Sequence, residues 1–98
     1  MNCVTNIILF TTSDPSRLAD DLIQAGFNVF EALAISEVMQ LCEAENVDIV
    51  LITAEIEEHR ALEIQHHYMT LRLKPNATVK EIIAELWQLF PDKAATVQ

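Results

Sequence analysis

Apolar and polar positions along the chain switch between two periods. Asn6 to Thr11 holds Ile7-Ile8-Leu9-Phe10, apolar on successive positions, the pattern of a strand buried on both faces. Asp14-Pro15 then reads as a helix start, Asp as the capping residue and Pro at the first helical position. Leu18, Leu22, Ile23 and Ala25 mark its apolar stripe, and Gly26 supplies the C′ position. Phe27 to Glu31 is a second, less uniformly apolar strand. Ser36-Glu37 opens a second helix carrying Ile35, Val38, Met39, Leu41 and Cys42, with Asn46 as its cap. Val47 to Thr53 is a third strand, again apolar on both faces. A third helix is predicted over Glu55 to His67. Tyr68 to Leu73 reads as a fourth strand, with Met69, Leu71 and Leu73 alternating against Thr70 and Arg72. Lys74-Pro75-Asn76 ends it. Thr78-Val79-Lys80-Glu81 has the spacing of a capping box and starts a last helix with Val79, Ile82, Ile83, Leu86 and Phe90 on one side. Pro91 stops that helix.

Four strand–helix units make a three-layer α/β domain with a four-stranded parallel sheet. The strands with continuous apolar runs, the first and third, belong in the centre, and the mixed second and alternating fourth at the edges. Right-handed crossovers then give the order 2-1-3-4. The first and last helices share one face, the second and third the other. One domain covers residues 1–91, and residues 92–98 read as a flexible tail. The carboxyl ends of the first and third strands meet at a topological switch point, where ligands bind in open α/β sheets. Thr11, Thr12, Ser13, Asp14, Thr53 and Lys74 lie there.

Composition narrows the function. The chain has 98 residues, 51% apolar, with a formal charge of −9. Such an acidic chain is repelled by phosphate backbones and by anionic lipid surfaces, which argues against nucleic acid or membrane as partner. The apolar runs of about four residues fall far short of the ~20 needed to span a bilayer, and the start reads as no signal peptide. Cys3 and Cys42 have no CxxC spacing, which reads as a reducing, cytoplasmic protein. Cys42 falls on an apolar stripe as a structural thiol.

Ile8 to Pro15, Leu22 to Val29, Val47 to Thr53 and Leu73-Lys74-Pro75 resemble, in order, four segments of the receiver domains of two-component response regulators. The resemblance covers most of residues 6 to 90 and implies a flavodoxin-like, receiver-like (βα)₄ fold. It lacks one βα unit, because the stretch from Thr53 to Lys74 is roughly thirty residues short. The resemblance also implies a cis Lys74–Pro75 peptide. The family's charged site is mostly gone. Thr12 and Ser13 stand where receivers carry the acidic pair that binds Mg²⁺, and Thr53 stands at the phosphoacceptor aspartate. Only Lys74 matches. Two hydroxyls supply no carboxylate charge for Mg²⁺, and threonine cannot replace a carboxylate nucleophile. The expectation is a truncated pseudo-receiver with a degenerate phosphoacceptor pocket of Thr12, Ser13, Asp14, Thr53 and Lys74. It is non-catalytic, needs no cofactor and is not switched by aspartyl phosphorylation.

Function then falls to protein contacts. Trp87 and Leu89, beside Leu86 and Phe90, widen the apolar arc of the last helix beyond one buried face, and the fourth strand leaves an open edge carrying Arg72. The expected role is an interaction or dimerisation module in signalling, its effect passing through another polypeptide because the chain carries no output domain. Two alternatives stay open. Thr12, Ser13, Thr53 and Lys74 form either a small-anion site or a set of local hydrogen bonds. His59, Glu63 and either His66 or His67 share a helix face and form either a transition-metal site or a solvated surface.

Overall fold

A computed structural model of the protein describes residues 5–12 and 16–90. Among these the elements run β1 (Asn6–Phe10), α1 (Ser16–Gln24), β2 (Asn28–Ala32), α2 (Ile35–Ala44), β3 (Ile49–Ile52), α3 (Glu58–Gln65), β4 (Thr70–Arg72) and α4 (Val79–Leu89). The sheet is four-stranded and all-parallel, with order β2-β1-β3-β4. This is the (βα)₄ flavodoxin-like arrangement that the apolar pattern predicts.

The two central strands are apolar on successive positions because both of their faces are covered. Ile7, Leu9, Ile49 and Leu51 join Ala19 and Leu22 of α1 and Ile82 and Leu86 of α4 in one core. Ile8, Phe10, Val50 and Ile52 join Val38 of α2 and Ala61 and Ile64 of α3 in the other. All eight strand residues are at most 1% exposed. The edge strands are mixed: Asn28, Glu31 and Arg72 face water. At the amino end of the sheet Asn6 ties three segments together. Its side chain donates to the Asn46 carbonyl (2.7 Å) and accepts from Asn28 Nδ2 (3.0 Å), and its backbone N–H donates to Asp48 Oδ2 (2.8 Å).

Helix boundaries follow the local chemistry. Gly26 takes φ 105°, a left-handed conformation that a side chain would strain. Thr78 caps α4, accepting the Glu81 backbone N–H at 3.2 Å. Four details differ from the sequence-based expectation. Ile23 is 51% exposed, because Ala19 rather than Ile23 completes the buried stripe with Leu22. The cap of α2 is Glu45, in extended conformation, not Asn46. Helix α3 starts at Glu58, because residues 54–57 form a turn that presents Ile56 to the core and Glu55 to the strand ends. The Lys74–Pro75 peptide is trans, since no described peptide bond is cis. The Ala77 N–H bonds the Lys74 carbonyl at 3.1 Å, which puts Pro75 second in a tight turn, where trans proline belongs. Asp14-Pro15, Pro91 and the tail lie outside the described residues.

This packing separates two neighbours on α4. Leu86 is fully buried and Trp87 is 45% exposed. Leu86→Ala is expected to lower stability by about 3 kcal/mol. The capping change Thr78→Ala is expected to cost about 1 kcal/mol. Urea unfolding of each variant measures both.

Candidate functional site

Strands β1 and β3 lie side by side, with α1 and α3 leaving them toward opposite faces of the sheet. Thr11 and Thr53 are the first residues beyond their carboxyl ends. Backbone bonds from Thr11 N–H to the Ala32 carbonyl (3.1 Å) and from Thr53 N–H to the Phe10 carbonyl (3.2 Å) fix both positions. Thr11 is 2% exposed.

The turn before α3 brings Glu55 back over this pair. Thr11 Oγ1 donates to Glu55 Oε2 at 2.5 Å, and the Thr12 backbone N–H donates to the same oxygen at 3.2 Å. The Thr53 hydroxyl also donates to Oε2, with the Phe10 carbonyl 3.3 Å away as its other acceptor. Partial burial of the Glu55 carboxyl would raise its pKa. The hydrogen bonds from Thr11, Thr53 and the backbone N–H groups of Glu55 and Thr12 outweigh this and bring it from the usual 4.5 to about 2. Glu55 is therefore a carboxylate at neutral pH. So weak a base does not take a proton from Thr11 or Thr53, and neither hydroxyl is activated as a nucleophile by it. Three donors that would suit an external oxyanion converge instead on an internal one.

Beside this network, between α1 and α4, is an open cleft of about 540 Å³. Leu9, Leu18, Leu73, Val79 and Ile82 give it apolar walls, and Arg17, Asp21, Glu55 and Lys74 bring charge to it. Arg17 and Asp21 stand one turn apart on α1. Among the described residues none of these four has an ion-pair partner within 4 Å, the short pair being His59 with Glu57 at 3.7 Å.

The residues singled out from sequence separate into groups. Thr12, Thr53 and Lys74 do gather at the strand ends, while Ser13 and Asp14 lie outside the described residues. Leu86 is core and offers no contact surface. Phe90 is half-buried against the same core. Trp87 and Leu89 are 45% and 41% exposed. Arg72 is exposed but anchored, its guanidinium donating to the Ile56 carbonyl at 2.7 Å. His66 is the C-cap of α3 and His67 lies beyond it, so the face shared with His59 and Glu63 ends before His67. His67 instead contacts the Tyr68 ring. Among the described residues no three His, Cys, Asp or Glu side chains gather as a metal site would require. Cys42 is half-buried against the second core; burial raises its pKa, and a hydrogen bond with Tyr68 opposes that rise. Among the described residues no helix is long and apolar enough to cross a membrane.

Glu55, Arg17 and Asp21 were not singled out by sequence reasoning. Glu55 was assigned to a helix, where it would have been one more solvated acid. Its signal is position: two residues past the threonine that follows one buried strand, opposite a second buried strand also followed by threonine. No family model matches the chain, and neither does any curated protein or solved structure.

The depressed pKa fixes the pH behaviour. The charged form of Glu55 stabilises the fold fully above the ordinary carboxylate value, and this contribution is lost as pH falls from 4.5 toward about 2. Relative to Glu55→Gln, the native protein should hold a constant stability advantage at neutral pH that shrinks across that window. Urea midpoints measured over a pH series test this.

Proposed function

We propose that the protein is a non-catalytic pseudo-receiver, a cytoplasmic signalling module that acts through protein contact and is not switched by aspartyl phosphorylation. The observation that carries this reading is the seat of Glu55. In the receiver resemblance, the strand-end donors would meet a phosphoryl group on an aspartate. Here the aspartate position is Thr53, and the donors are already engaged by a permanent carboxylate. The anion that engages them belongs to the chain itself and requires no phosphoryl transfer.

The contact surface in this reading is β4 with α4, and the partner is a second copy of the chain. Two observations favour it. Trp87 and Leu89 are the exposed large apolar residues of α4, and β4 is an uncovered edge. Charge points the same way. Glu37, Glu43, Glu57, Glu58 and Glu63 make the α2–α3 face strongly acidic, so two such faces repel. Beside β4, Arg72 and Lys74 share a hollow with Glu81 and Glu85 of α4. A two-fold interface pairs each residue type on one copy with its complement on the other, and only a mixed face can do so without net repulsion.

Two measurements test this. With a small-molecule phosphodonor and Mg²⁺, the intact mass should remain unchanged; an acid-labile gain of one phosphoryl group would overturn the phosphorylation-independent reading. Light scattering over a concentration series should give twice the chain's 11.1 kDa, with Trp87→Ala shifting the mass toward the monomer. A native chain that stays monomeric at high concentration rules out self-association.

A further inference from the structure

The cleft between α1 and α4 shares Glu55 and Lys74 with that reading, but its open volume and apolar walls have no part in it. Its volume of about 540 Å³ lies within the ~300–1,000 Å³ span of small-molecule sites. It opens at the carboxyl ends of parallel strands, the ordinary ligand position in open α/β sheets. Its walls are aliphatic. In a chain with a net charge of −9, two cations, Arg17 and Lys74, border it without an ion-pair partner within 4 Å among the described residues. Two carboxylates, Asp21 and Glu55, border it as well.

We propose that this cleft binds a small zwitterion with an apolar body, of the amino-acid or dipeptide class. Arg17 and Lys74 receive the ligand's carboxylate, the guanidinium offering a planar fork suited to it. Asp21 and Glu55 receive the ammonium. The side chain lies on Leu18, Leu73 and Ile82. Balanced charge among the described residues is what selects this class. A phosphate dianion would meet two fixed carboxylates, and the strand-end hydroxyls that would hold it already donate to Glu55. A simple carboxylate leaves Asp21 and Glu55 unanswered, and a simple amine leaves Arg17 and Lys74 unanswered. Self-association is read from Trp87, which does not line the cleft, so failure of either idea leaves the other standing.

Isothermal titration calorimetry on the full chain tests the proposal with leucine and leucyl-leucine as probes. The same titrations use 4-methylpentanoate, which lacks the amine, 3-methylbutylamine, which lacks the carboxylate, and inorganic phosphate. At least one zwitterion should bind at millimolar concentration or below, with both truncated analogues weaker by about tenfold or more. Arg17→Ala and Lys74→Met should each weaken it by a similar factor. Both side chains are exposed and without an ion-pair partner among the described residues, and the circular dichroism spectrum of each variant checks that the fold is kept. Absence of binding by both zwitterions overturns the proposal. So does equal binding of 4-methylpentanoate, tighter binding of phosphate, or full affinity in both variants.

Discussion

The structure depends on one constraint: two short strands, β1 and β3, must be shielded from water on both faces. Each has side chains pointing alternately to either side, and Ile7 to Phe10 and Ile49 to Ile52 are all at most 1% exposed. At about 25 cal/mol per Å² of apolar surface, this burial is a dominant favourable contribution to folding. A parallel pair cannot close with a tight turn, so each strand needs a crossover helix. Right-handed crossovers distribute the helices, α1 and α4 to one side and α2 and α3 to the other. The edge strands inherit a weaker role. β2 and β4 complete the hydrogen bonding of the central pair, and their mixed composition reflects partial cover.

That same constraint creates the mouth where Thr11, Thr53 and Glu55 meet. Because α1 and α3 leave toward opposite faces, the carboxyl ends of β1 and β3 are not roofed by either helix. The first side chains past the ends, both threonines, hold donors in a place with few competing acceptors. Glu55 fills that gap from a turn only two residues beyond Thr53. Residues 54–57 form a turn in which Glu55 accepts from the strand ends, Ile56 enters the core and the Ile56 carbonyl accepts from Arg72. That turn precedes α3, closes the strand ends through Glu55 and bonds β4 through the Ile56 carbonyl.

Most of the architecture was legible because it rests on period and burial. The two continuous apolar runs identified the central strands, and the alternation at Met69 to Leu73 identified an edge. Thr78 and Gly26 marked termini by local chemistry that tertiary context did not override. The errors have a common source. Ile23, Asn46 and the start of α3 were assigned from residue type, and at each place a neighbour had the stronger claim. Ala19 fits the close approach of α1 to the sheet. Glu45 ends α2 before Asn46. The hydrogen bonds to Glu55 outweigh its helix propensity. The trans Lys74–Pro75 peptide is a fourth case, where the turn closing on Lys74 sets the isomer and the family resemblance does not. The site was half legible for the same reason. Threonines at strand ends can be read from a sequence, but a carboxylate that folds back onto them depends on a turn with no strong signal.

The chemistry at the strand ends bears on how such a protein can be regulated. Glu55 stays ionised down to a pH of about 2, so no physiological change in proton concentration alters it. Its three donors already share that charge, and releasing them would leave a buried threonine hydroxyl, Thr11, without its carboxylate acceptor. The mouth is therefore a structural fixture. What reaches the surface beside it is the cleft between α1 and α4 and the face made by β4 and α4. Those two sites share one helix, and Lys74 borders the cleft while belonging to the charged rim of the face. A ligand drawing Lys74 inward would change the charge available to a partner, coupling the two sites through a single side chain rather than through a rearrangement of the core.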